Sequence, residues 1–224
     1  MAVLIQIKLN EKLYLRDPQE TRLGRSIIQQ SILLIDEIGF EQFTFKKLAE
    51  RISSTEASIY RYFGNKHVLL VYLLCWYWEW TRFQIDYYTN NVQNPVERLK
   101  LALRVIVNAS VRNASIEFVD EDILHRIVVA EGAKAYHTKE VDKENKEGYF
   151  STYKALAKTL ADMIADVNPD FIYPRALSST LLEMANDQIY FSKHLPALTD
   201  IRISEDNMDQ AVTLLQDFAF KMIR

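Results

Sequence analysis

The chain has 224 residues, a formal net charge of −3, 49% hydrophobic residues and 25% charged residues. That is the composition of a globular domain with a buried core, and it excludes a disordered or multi-spanning chain. Five glycines and five prolines fall well below the usual share of about 12%, which argues against turn-rich sandwiches and barrels, and one cysteine excludes an intrachain disulfide scaffold or a multi-cysteine zinc site.

The first segment carries period two. Ile5, Ile7 and Leu9 alternate with polar neighbours, and Leu13 and Leu15 do so beyond Asn10-Glu11. A small β-hairpin is expected, ended by Asp17-Pro18. The opening residues lack a basic n-region and a small-residue cleavage site, so no signal peptide is expected and a cytoplasmic location follows. The most apolar region, 68–88, is broken by Glu79, Arg82 and Asp86 and does not read as a membrane span.

Everything afterwards has helical period. The pattern predicts helices over 22–38 (stopped by Gly39), 46–52 (capped by Thr44), 56–62 (capped by Thr55) and 66–89 (capped by Asn65). Further helices are expected over 95–113 after Asn94-Pro95, 117–135, 140–166 and about 170–193, where Pro174 kinks or delays the start. The last, 205–222, follows Ser204. The expectation is an all-α chain of about nine helices, with 1–19 as an N-terminal extension, 20–65 as a head and 66–224 as a helical bundle.

Two short helices around the turn Ser53-Ser54-Thr55 have the layout of a helix-turn-helix, whose second helix enters the major groove. Leu48, Ala49, Ile52 and Ile59 are spaced to pack the pair together. Glu56, Ser58, Tyr60, Arg61 and Tyr62 lie on the outward side, as hydroxyls and a guanidinium suited to phosphates or base edges. Thr44 and Lys46 open the preceding helix.

The run 39–49, Gly-Phe-Glu-Gln-Phe-Thr-Phe-Lys-Lys-Leu-Ala, followed by 58–70, Ser-Ile-Tyr-Arg-Tyr-Phe-Gly-Asn-Lys-His-Val-Leu-Leu, resembles the DNA-binding domain of the TetR family of transcriptional regulators. Gly39, Phe40, Thr44, Leu48, Ala49, Tyr60, Phe63, Lys66 and Leu69-Leu70 match at the family's spacing. The resemblance covers about 22–70. It implies phosphate contacts from Thr44, Lys46, Tyr60 and Lys66, and base contacts from Thr55, Glu56, Ser58 and Arg61. It also implies a ligand-responsive repressor that binds a palindromic operator as a homodimer. Two departures stand out. Ser replaces the family's glycine in the turn, where it must carry a positive φ at a cost of about 1–2 kcal/mol. The N-terminal extension lies outside the family pattern. Residues 1–70 carry a net +2 and the remainder a net −5, so the basic charge sits at the head.

Helix 66–89 is apolar on two sides, as expected of a helix buried between layers. Trp76, Trp80, Phe83 and Tyr87, with Phe118, His125, Tyr149 and Tyr153 from later helices, are the candidate lining of a site for an apolar or flat effector, against the plainer reading that they are core. Leu181, Ala185 and Ile189 on one late helix, and Leu214, Phe218 and Met222 on the last, form stripes suited to a four-helix dimer interface. No phosphate loop or nucleophile motif exists. Glu121 and His125 stand four apart with no second pair, so neither metal, cofactor nor enzymatic activity is expected. The alternative reading is an all-helical interaction or small-molecule-binding protein that has lost DNA readout.

Overall fold

The computed structural model describes residues 6–109, 111, 116–204 and 207–224. Its α-helices are α1 (Arg22–Gln42), α2 (Phe45–Arg51), α3 (Glu56–Tyr60), α4 (Lys66–Thr89), α5 (Pro95–Asn108), α6 (Glu121–Glu131), α7 (Ala133–Tyr136), α8 (Val141–Lys146), α9 (Ser151–Val167), α10 (Pro174–His194) and α11 (Asp209–Ile223). The fold is all-α, with eleven helices among the described residues where the pattern suggested about nine. The difference lies in 117–166, where two expected helices divide into α6 to α9. Gly148, at φ 84°, interrupts the path between α8 and α9.

The chain forms two compact units, residues 1–79 with 112–152, and residues 80–111 with 153–224. In the first, α1 packs along α6. Ile27, Ile28, Ile32 and Ile35 of α1 are buried, as are Leu124, Ile127 and Val128 of α6. Polar links add register: Arg126 grips Asp36 with bonds of 2.9 and 2.8 Å, and Glu131 Oε1 accepts the Phe40 amide at 3.1 Å. The Asp36 carboxylate beside it holds the Arg126 guanidinium charged to still higher pH than usual.

The expected β-hairpin does not form. Residues 6–10 form no strand, and Glu11–Leu13 is a 3-10 turn capped by Asn10. The alternation was a burial signal: Ile7, Leu9 and Leu13 are buried, whereas Leu15 is exposed. The missing partner is a side chain. Gln19, itself buried, accepts from the Ile7 amide at 3.1 Å and donates to the Ile7 carbonyl at 2.7 Å, so one amide group takes the place of a neighbouring strand. This N-terminal strap is pinned elsewhere too. The Leu15 amide donates to the Tyr62 carbonyl at 2.8 Å, and Asn10 Nδ2 donates to the Glu147 carbonyl at 3.0 Å. Gly24 is required where α1 crosses the strap, because a Cβ there would lie 2.2 Å from the Pro18 carbonyl oxygen.

The second unit is built on α5, α9, α10 and α11. Leu99, Leu103, Leu160, Ile164, Leu181, Leu182 and Leu215 are among its buried residues. Asn168 Nδ2 donates to the Ile223 carbonyl at 2.6 Å and Gln216 Nε2 to the Lys100 carbonyl at 3.1 Å, tying the C-terminal end and the middle of α11. Pro174 delays its helix, as the pattern allowed, and occupies the first position of α10. The last helix starts at Asp209, with Asn207 Oδ1 accepting the Asp209 amide at 2.9 Å, so Ser204 is not its cap; the expected start at Glu205 lies outside the described residues. So does the expected end of the 95–113 helix, whose described part closes at Asn108.

Candidate nucleic-acid interface

The local sequence dictates α2, the turn and α3 almost residue by residue. Thr44 Oγ1 accepts the Lys47 amide at 3.2 Å and starts α2. At the other end, the Ser54 amide donates to the Ala49 carbonyl at 2.9 Å and the Ser53 amide to the Glu50 carbonyl at 3.2 Å. This is a Schellman C-cap, and its left-handed residue is Ser53, at φ 50°. Serine therefore occupies the position that glycine serves at least cost. Thr55 Oγ1 then accepts the Ser58 amide at 3.3 Å and lies 2.9 Å from Ser58 Oγ, capping α3.

Leu48, Ala49 and Ile59 are buried where the two helices meet. Phe45 meets Tyr60 edge-on, with ring centroids 5.0 Å apart, and fixes the direction of the phenol. Arg51 ties the end of α2 to α1, with Nε bonded to Gln30 and NH2 to Glu37, each at 2.7 Å. That pairing holds the Glu37 carboxyl below the usual carboxylate range.

Most of the sequence-predicted contact residues lie on one accessible stretch. Thr44, Lys46, Thr55, Glu56, Tyr60 and Arg61 are exposed and Ser58 is half-buried. Two are engaged inside the protein. Tyr62 is buried, with its hydroxyl 2.8 Å from Thr21 Oγ1. Lys66 is half-buried, and its Nζ donates to the carbonyls of Phe40, Glu41 and Phe43 at 3.0, 3.1 and 3.2 Å. These three bonds match the three donors of an ammonium group, which also sits 4.8 Å from the Phe40 ring centroid. The acceptors are exposed by the backbone break at Gly39, where φ is 75°.

The candidate effector residues fall in two groups. Trp76, Phe118, His125 and Tyr149 belong to the first unit and Trp80, Phe83, Tyr87 and Tyr153 to the second. In the first, Trp76 is fully buried and meets Phe118 edge-on at 6.4 Å, while His125 lies 5.8 Å from the Tyr77 ring, an aromatic the pattern did not single out. The Tyr149 carbonyl accepts Cys75 Sγ at 3.0 Å, and burial pushes the Cys75 thiol up to about 12, where it stays protonated and unreactive. In the second, Trp80, Phe83 and Tyr87 stack in succession at 5.6 and 6.5 Å, the last two exposed, and the Tyr153 hydroxyl donates to Glu183 at 2.6 Å. Among the described residues no group of three or more metal-type ligands gathers.

Of the candidate interface residues, Leu181, Ala185 and Ile189 are buried, Leu214 is half-buried, and Phe218 and Met222 are exposed.

Residues 27–73 match the family model for bacterial regulatory proteins of the TetR family. The helix-turn-helix segment is of the TetR family. Among solved structures, the chain is similar to AibR in complex with isovaleryl coenzyme A and operator DNA, at 19% identity and a TM-score of 0.60 over 87% of this chain and 96% of that one. It is similar also to the fatty acid degradation regulator FadR from Bacillus halodurans (16% identity, TM-score 0.61, 88% and 96% covered). The ketosteroid transcriptional regulator KstR2 of Mycobacterium tuberculosis aligns at 12% identity and a TM-score of 0.58, with 97% and 95% covered. The TetR-type fold thus extends over nearly the whole chain. No curated protein sequence matches significantly. No helix among the described residues is long and apolar enough to cross a membrane.

Proposed function

We propose that the protein is a ligand-responsive transcriptional regulator, a repressor that binds a pseudo-palindromic operator as a homodimer. The observation that carries this reading is the exposed α3, held by a Schellman turn and a threonine cap within a segment that matches the TetR family. In this reading α3 lies in the major groove. Glu56, Ser58 and Arg61 approach base edges, with Thr55 at the entry to the helix, and Thr44, Lys46 and Tyr60 meet phosphates. Residues 20–65 act as the DNA-binding domain and 66–224 as the ligand-binding and dimerisation domain, with either the aromatic group at Trp76 or that at Trp80 taking an apolar effector. AibR, solved with both an acyl coenzyme A and operator DNA, supports pairing the two activities on this fold. The role is regulatory rather than enzymatic and belongs in the cytoplasm, where the DNA is.

The test is a mobility shift with duplexes selected by the full-length protein from a randomised pool, repeated at several salt concentrations. A retarded complex on an inverted repeat, weakening steeply with salt, is expected. Absence of any retarded species at low salt would overturn the reading in favour of an interaction protein without DNA readout. Within this assay Arg61→Ala should weaken binding and relax base preference at one position of each half-site.

A further inference from the structure

In the first unit, the arginines divide cleanly by partner. Arg51 and Arg126 pair with carboxylates and Arg25 donates to the Gln19 carbonyl at 2.6 Å. Arg16, Arg22 and Arg61 are exposed, and among the described residues none of the three is paired. Arg16 touches one buried side chain, Tyr62, and Arg22 and Arg61 directly follow and precede residues joined at it. The Arg16 guanidinium lies 5.7 Å above the Tyr62 ring, and the neighbouring Leu15 amide bonds the Tyr62 carbonyl. Thr21, whose hydroxyl lies 2.8 Å from the Tyr62 phenol, caps α1 and directly precedes Arg22. Arg61 is the residue before Tyr62 and directly follows α3. Arg16 shares a shallow cavity with Glu11, Asp17 and Glu20 but forms an ion pair with none of them, and Asp17 accepts from the Gln19 amide and Gln6 Nε2.

We propose that Arg16 and Arg22, held on either side of the Thr21–Tyr62 contact, form a phosphate clamp that takes the operator backbone beside the base-reading helix and its Arg61. The inference rests on the DNA-binding reading above and extends its surface to a strap outside the matched family segment. The physical case is charge and placement. Exposed guanidiniums that form no ion pair keep their donors available to an incoming anion, and an Arg fork matches a phosphate bidentately. The cation–π contact with Tyr62, at 5.7 Å from the ring centroid, favours this position for Arg16 without consuming its N–H donors. The strap is pinned by its backbone to Gln19 and Tyr62 and by the Asn10 side chain to Glu147, so the charge is presented from a fixed support.

The experiment is the salt dependence of binding to the selected duplex and to a scrambled duplex, for full-length protein. Arg16→Gln and Arg22→Gln should each weaken both duplexes several-fold alike. Each should also reduce the slope of log K against log salt by about 1, with the melting temperature unchanged. Arg16→Lys should keep the slope, and Arg175→Gln, on α10, should leave slope and affinity at wild-type values. A wild-type slope for Arg16→Gln overturns the clamp, and a fall in melting temperature with the slope retained assigns Arg16 to packing instead. If the wild-type protein retards no duplex, the regulatory reading and the clamp fall together; if wild type binds and Arg16→Gln keeps its slope, only the clamp falls.

Discussion

Lys66 illustrates how far a single side chain's role depends on contacts remote in sequence. Family resemblance directs its charge to a phosphate, yet its three donors are occupied by carbonyls 23 to 26 positions earlier in the chain. A cation capping three carbonyls is worth more than a neutral hydrogen bond, and removing it orphans all three at once. Lys66→Met should therefore cost about 2–3 kcal/mol of stability, read as a lowered midpoint in urea. The salt slope of DNA binding should stay at the wild-type value, because an ammonium with no free donor contributes no phosphate contact. A reduced slope with unchanged stability would return Lys66 to the phosphate role.

At the scale of the element, the turn between α2 and α3 carries a deliberate cost. Ser53 holds φ 50°, a conformation that costs a residue with a Cβ about 1 kcal/mol relative to glycine. Ser53→Gly should raise the urea midpoint by a corresponding amount, with the Schellman bonds intact; an unchanged or lowered midpoint would show that the serine is not strained. This turn was legible in the sequence because its chemistry is local. Thr44, Thr55, Asn65 and Asn94 each cap the helix that the pattern placed after them, with bonds spanning three residues. The strap was not legible for the opposite reason. Its period-two burial is real, but its hydrogen-bonding partner is the Gln19 side chain rather than a second strand, and alternation does not distinguish the two. The division of 133–151 into short helices was equally hidden, since Gly148 acts through its backbone and the segment around it is too polar to show a period. Of the candidate DNA contacts, those on α3 and its cap could be read from one helix face. Tyr62, placed on that face by its spacing, is buried instead, and Arg16 could not be read at all, because its contact with Tyr62 crosses 46 positions of sequence.

At the scale of the whole molecule, the second unit presents an incomplete surface. Phe218 and Met222 are 50% and 58% exposed on the last helix, one turn apart, beside half-buried Leu214. Apolar side chains in such a row are costly in water and are the expected seam of a homodimer. Phe218→Asp with Met222→Asp should convert the protein to a monomer in sedimentation while leaving its helical circular dichroism in place. Operator affinity should fall steeply, since each monomer then meets only one half-site. A dimer that survives both substitutions would place the seam elsewhere.

The first unit is discontinuous in the chain, joining residues 1–79 to 112–152. A ribosome delivers these pieces separately. When α3 emerges, the strap's anchor at Glu147 and the α6 residues that pack on α1 do not yet exist. The wholly buried run from Leu69 to Trp78 must wait uncovered until Phe118 and His125 follow it out. The unit that carries the helix-turn-helix is thus completed late in synthesis although the motif is encoded early, and a prematurely terminated chain would carry the DNA-reading residues without the α6 packing that backs α1.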